Sequence, residues 1–112
     1  MATTYKVLGQ SIPSASYGGT SPLYTVTTGK QCVVSSIVIC NQTGTATNYR
    51  IAVLPFGETL IPADKHWIVY GATVGASDTT VVTPGITLGS GDSVWALSNS
   101  GTVSFSIFGT EL

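Results

Sequence analysis

The stretch Gln31-Cys-Val-Val-Ser-Ser-Ile-Val-Ile-Cys-Asn41 constrains the fold more than any other part of the chain. Five of its eleven residues are β-branched valine or isoleucine, side chains that crowd a helix turn and suit a pleated strand. In a regular strand Val33, Ile37 and Ile39 share one face with Ser35. Cys32, Val34, Val38 and Cys40 share the other with Ser36. Both faces are mainly apolar, so the run is expected to be a central strand covered on both sides. Asn41-Gln-Thr-Gly44 has turn chemistry, and residues 46–54, with Tyr49, Ile51 and Val53 on one face, are the expected antiparallel partner in a hairpin.

The rest of the chain repeats this grammar of short strands and turns. Residues 5–10 suggest a first strand. Ser11 to Pro22, broken by Pro13, Gly18, Gly19 and Pro22, is expected to be a flexible loop or an extended arm. Strands are expected over 23–27, 67–74, 79–83, 86–88 and 93–98, with a closing strand in which Val103, Phe105 and Ile107 alternate with Ser104, Ser106 and Phe108. In the 67–74 strand, Trp67 and Val69 are expected opposite Ile68 and Tyr70. No segment shows the apolar period of a helix. The reading is all-β: residues 1–112 form a single antiparallel β-sandwich domain, jelly-roll-like, of eight or nine short strands.

Composition narrows the partners. Charged residues make up 8% of the chain, against roughly a quarter in ordinary soluble proteins. With 13 Ser and 17 Thr, hydroxyls take over the solubilising role. A net charge of -1 without a basic stripe argues against nucleic acid as a partner. No stretch approaches the roughly 18 apolar residues that cross a membrane, and the first residues lack the apolar segment of a signal peptide. The expectation is a soluble chain without a membrane partner. Its low charge, and candidate edge strands such as Thr79–Thr83, point to a homo-oligomer that covers surface with its own copies.

Sites for chemistry are weak. Cys32 and Cys40 would stand about 26 Å apart in one continuous strand, too far to bridge. Both are expected to be buried free thiols, suited to a reducing cytoplasm. Asp64-Lys65-His66 is the only cluster of titratable types, and it reads as a solvated loop or an inter-subunit contact. No nucleophile elbow, metal pattern or phosphate loop accompanies it, and Gly89-Ser-Gly-Asp92 precedes no helix that could hold an anion. No catalytic, cofactor-binding or metal-binding residue is assigned, and no enzyme activity is expected. Asn41-Gln-Thr43 matches a glycosylation acceptor but reads as a turn. Trp67, Tyr70 and Trp95 read as core or interface anchors, with a platform for sugars as the alternative.

Taken together, Val7-Leu-Gly-Gln10, Leu23-Tyr-Thr-Val26, Gly29-Lys-Gln31, Val34-Ser-Ser-Ile37, Cys40-Asn41 and Tyr49-Arg-Ile-Ala-Val53 resemble small virion structural proteins of tailed bacteriophages, those of cyanobacterial phages above all. His66-Trp-Ile-Val-Tyr70, Asp78-Thr-Thr80 and Phe105-Ser-Ile-Phe-Gly-Thr-Glu111 extend the similarity over nearly the whole chain. It departs at Thr27-Thr28, where a proline would precede the Gly-Lys turn. The resemblance implies a capsid decoration (cement) protein, made in the host cytoplasm and carried on the virion's capsid surface. Its partners would be the major capsid protein and further copies of itself, as a trimer rather than a dimer. The alternative is a tail fibre or spike module that binds a host-surface glycan.

Overall fold

The computed structural model describes residues 4–18, 21–58 and 62–112; Gly19 of the expected loop and the first three residues fall outside that set. The strands are β1 (Thr4–Ser11), β2 (Tyr24–Thr25), β3 (Cys32–Asn41), β4 (Thr47–Leu54), β5 (Trp67–Val74), β6 (Thr79–Val82), β7 (Ile86–Leu88), β8 (Ser93–Ser98) and β9 (Val103–Glu111). A 3-10 turn, Asp64–His66, is the only helical piece among the described residues. One sheet runs β1-β9-β3-β6, with β7 also paired to β3; the other runs β2-β8-β4-β5.

The antiparallel pairings nest. β4 pairs with β5, β3 with β6 and β7, β2 with β8, and β1 with β9. A folded ribbon with this nesting, wound so that successive turns add β3–β9 and β4–β8 contacts, is a jelly roll. The expected all-β sandwich is therefore the fold that forms.

Winding the ribbon overturns the expected hairpin between residues 31–41 and 46–54. β3 and β4 lie in different sheets, and residues 42–46 arch across the end of the sandwich. Asn41 organises that arch. Its side chain, 1% exposed, donates through Nδ2 to the carbonyls of Thr45 (2.8 Å) and Gly75 (3.0 Å). Its Oδ1 accepts from the Thr43 amide (3.1 Å) and hydroxyl (3.0 Å). The Ser77 amide bonds the Thr43 carbonyl at 2.7 Å, locking the arch to the β5–β6 turn. An amide this enclosed is a structural hub, not a glycan acceptor.

The faces of β3 also differ from the regular alternation. Its register with β9 slips between Val34 and Ser36, so Ser35 is an inserted bulge residue. One extra residue reverses the parity downstream. Cys32 and Val34 point inward above the bulge, Ile37 and Ile39 below it. Val33 and Ser35 are exposed instead of covered. A matching slip between Val7 and Gly9 of β1 turns Leu8 onto the core. The two bulges meet neighbouring positions of β9, between Gly109 and Phe108 for β3 and between Phe108 and Ile107 for β1. A Cβ on Gly109 would strike the Val33 carbonyl, and one on Gly9 the Leu23 carbonyl. Only glycine fits there.

Between the sheets lie Phe105, Ile37, Ile39, Ile51, Ile107, Val94 and Val103, all fully buried, with Tyr49 edge-on to Phe105 at 6.4 Å. Each such side chain contributes about 1.5–3 kcal/mol by leaving water. The described residues after β1 are not a free arm. Ser16 and Tyr17 donate their amides to Asn99 (2.9 Å) and Ser98 (2.8 Å), and Leu23 donates to Val94 (2.8 Å). The described part of Ser11–Pro22 thus runs beside β8 of its own domain.

Candidate interaction surfaces

The outer face of the β1-β9-β3-β6 sheet can be read directly from the register. Its rows are Tyr5, Thr110, Val33 and Thr87; Val7, Phe108 and Ser36; Gln10, Ser106, Val38 and Val81; and Ser104, Cys40 and Thr79. None carries a charge. Tyr5 is 81% and Val81 58% exposed, with Val7 and Val33 also largely open. Among the described residues the outward side of β3 is only partly covered: Val33 is exposed, and Val38 and Cys40 are half-buried. Such an assembly of valine, tyrosine and hydroxyls on one flat face suits a partner surface better than bulk water.

The opposite outer face, on β4 and β5, is built by two further slips. Arg50 stands across from Tyr70 and Ala52 from Trp67, with Gly71 and Ile68 as the extra residues. Gly71 adopts a φ of 80°, a conformation glycine reaches without strain. In regular alternation Trp67 and Tyr70 would face opposite sides. The bulge at Ile68 puts them on the same side, ring centroids 5.8 Å apart and edge-on. This corrects the expected opposition of those two residues. Trp95 packs below, 3% exposed in a cluster with Ala52, Leu54 and Trp67, its indole N–H donating to Ser93 Oγ at 3.1 Å. Trp95 is therefore an anchor, whereas Trp67 and Tyr70 reach the surface and, with Asp64, line an open groove of about 410 Å³.

Arg50, the chain's only arginine, completes this face; the sequence offers it as one of the few charges that would fix orientation at an interface, but not its aromatic partners. Its guanidinium carbon lies 3.7 Å from the centre of the Tyr17 ring, 4.1 Å from Tyr70 and 5.8 Å from Trp67. Each contact contributes about 0.5–2 kcal/mol depending on desolvation. Among the described residues Arg50 has no carboxylate partner. Nε is covered and without an acceptor among the described residues.

The titratable cluster expected at Asp64-Lys65-His66 resolves into a pin. The buried His66 accepts the Ala63 amide at Nδ1 (2.8 Å) and donates from Nε2 to Glu58 Oε1 (2.9 Å). Lys65 reaches the same oxygen at 3.0 Å. The His66 hydrogen bond, followed by that of Lys65, holds the Glu58 carboxyl below its usual range. Both imidazole nitrogens are engaged, so the group fastens the loop before β5. Among the described residues no three metal-ligating side chains gather.

A second pin closes the far end of the sandwich. Glu111 accepts from Tyr24 OH (2.7 Å), Thr27 Oγ1 (3.1 Å) and Lys6 Nζ (3.4 Å). The Tyr24 hydrogen bond, aided by Thr27 and Lys6, lowers its carboxyl to about 2, while burial and this carboxylate push the Tyr24 phenol up. Cys32 and Cys40 are free thiols. Cys32 is buried as expected, but the bulge at Ser35 leaves Cys40 on the outer face and partly exposed.

No family model, curated protein or solved structure matches the chain. The two faces therefore stand on their own chemistry.

Proposed function

We propose that the chain is a structural component of a tailed-phage virion, a capsid decoration protein that seats the outer face of its β1-β9-β3-β6 sheet on the major capsid protein and packs against copies of itself. One observation carries this reading: that face is apolar, hydroxyl-bearing and free of charge, and its own chain leaves it open. The molecule is a slab of 45 × 28 × 18 Å, so its broad side exceeds the about 800 Å² per partner of a standard interface. Repetition over a shell turns weak contacts into avidity. Jelly rolls serve both capsids and lectins, so the fold alone does not choose between them.

The test is binding of purified protein to emptied phage heads, with Val33→Lys and Val81→Lys as the decisive variants. Both residues are exposed, so the variants should keep the β circular-dichroism spectrum and lose head binding, since an unpaired lysine is costly to bury. Heads from a gene deletion should rupture under heat or osmotic shock. Retained binding by both variants, or deletion heads as robust as wild type, would refute the reading. Deletion particles that fail only to adsorb would instead favour a tail fibre or spike module. Self-association as a trimer belongs to the same proposal, and light scattering that returns only the 11.5 kDa monomer would count against it in solution.

A further inference from the structure

We propose that the face opposite the docking sheet holds a saccharide site, and that its ligand is an acidic sugar whose carboxylate or sulfate meets Arg50. The argument starts from what a guanidinium needs. Its planar fork matches a two-oxygen anion, yet among the described residues Arg50 has no carboxylate partner and its buried Nε has no acceptor. The Tyr17 and Tyr70 rings lie 3.7 and 4.1 Å from its guanidinium carbon, so the group is held in place before any ligand arrives. A stack that only fastened the Tyr17 loop would not need Tyr70.

Beside Arg50 lie the other parts of a sugar site. Tyr70 is 65% exposed and meets Trp67 edge-on across the groove that Asp64 also lines. Aromatic faces carry negative charge density, which attracts the weakly positive C–H groups of a pyranose ring. Asp64 has no ion-pair partner among the described residues, leaving its carboxylate to accept sugar hydroxyls. It also repels an anion placed directly beside it. The acidic group therefore belongs at the Arg50 end, with the ring over Tyr70 and Trp67 and hydroxyls toward Asp64. The site is independent of the capsid reading, because it lies on the other face and needs only the isolated chain.

The experiment is an NMR titration of the soluble protein, following the Trp67 indole and Arg50 side-chain signals. Trigalacturonate, 3′-sialyllactose and a heparin disaccharide are compared with neutral counterparts, methyl-esterified trigalacturonate and lactose. At least one acidic sugar should shift both signals at millimolar concentration and bind more tightly than its neutral counterpart. Arg50→Lys should weaken the acidic sugar about tenfold and leave the neutral one nearly unchanged. Tyr70→Ala, at an exposed position, should weaken both while keeping the folded β circular-dichroism spectrum, which keeps the test decisive if Arg50→Lys fails to fold. No response to any acidic sugar overturns the proposal. Equal affinity for acidic and neutral forms overturns the role given to Arg50.

Discussion

Replacing Asn41 with alanine should destabilise the domain by about 2–4 kcal/mol, a large part of the roughly 5–15 kcal/mol that holds a domain together. Four side-chain hydrogen bonds disappear, each contributing about 1 kcal/mol net. The loss is softened because the single proton of the Thr43 hydroxyl can turn from Asn41 to the Thr45 carbonyl at 3.0 Å and the Gly75 carbonyl keeps the Asp78 amide at 3.3 Å. A cavity at a site 1% exposed adds to the cost. Asn41→Asp sharpens the test. Its shape is unchanged and Oδ1 still accepts from Thr43, but the second oxygen now faces two carbonyls. At neutral pH it should therefore cost more than alanine. Those carbonyls raise the folded pKa of the new carboxyl above its unfolded value of about 3.9. The penalty is full above the folded pKa and shrinks as pH falls through it, when the protonated acid donates to one carbonyl. Urea unfolding at neutral and mildly acidic pH reads both effects. A cost below about 1 kcal/mol for alanine, or an aspartate variant whose penalty ignores pH, would refute the assignment of Asn41 as the hub of the arch.

Gly109→Ala should be worse than a typical core change, above about 3 kcal/mol, since its methyl meets the Val33 carbonyl and Val34 Cα inside a paired ladder; urea melts would show this as a low midpoint or no folded protein. Glu111 has a depressed carboxyl, so its stabilisation is complete above the unfolded value of 4.5 and is lost as pH falls toward about 2; Glu111→Gln should flatten the melting-temperature profile over that window. The thiols should separate by rate. Cys40 reacts in the native protein, while Cys32, 1% exposed and with burial raising its pKa, reacts only as the chain unfolds. Equal native rates would mean that the bulge at Ser35 is misassigned.

How much of this was legible in the residues depends on range. The strand bounds 67–74, 86–88 and 93–98 are as read from the sequence, because β-branched alternation and Gly, Pro and Asn turns act over a few neighbours. The same local signals mark the sandwich class and the apolar two-sidedness of residues 31–41. Pairing is not local. β1 meets β9 from opposite ends of the chain, and β3 meets β9 rather than β4 because the jelly roll carries β3 and β4 to different sheets. A turn signal after Asn41 says that the chain bends, and Asn41's contacts to Thr45 and Gly75 decide that it bends across the sandwich. Face assignment fails for a related reason: single inserted residues at Leu8, Ser35, Ile68 and Gly71 each reverse parity, and nothing in their identity announces a bulge except the glycine. The Arg50 cluster shows the limit most clearly. Tyr17 comes from an irregular loop and Tyr70 from a bulged strand, so only the tertiary structure could bring their rings to one guanidinium.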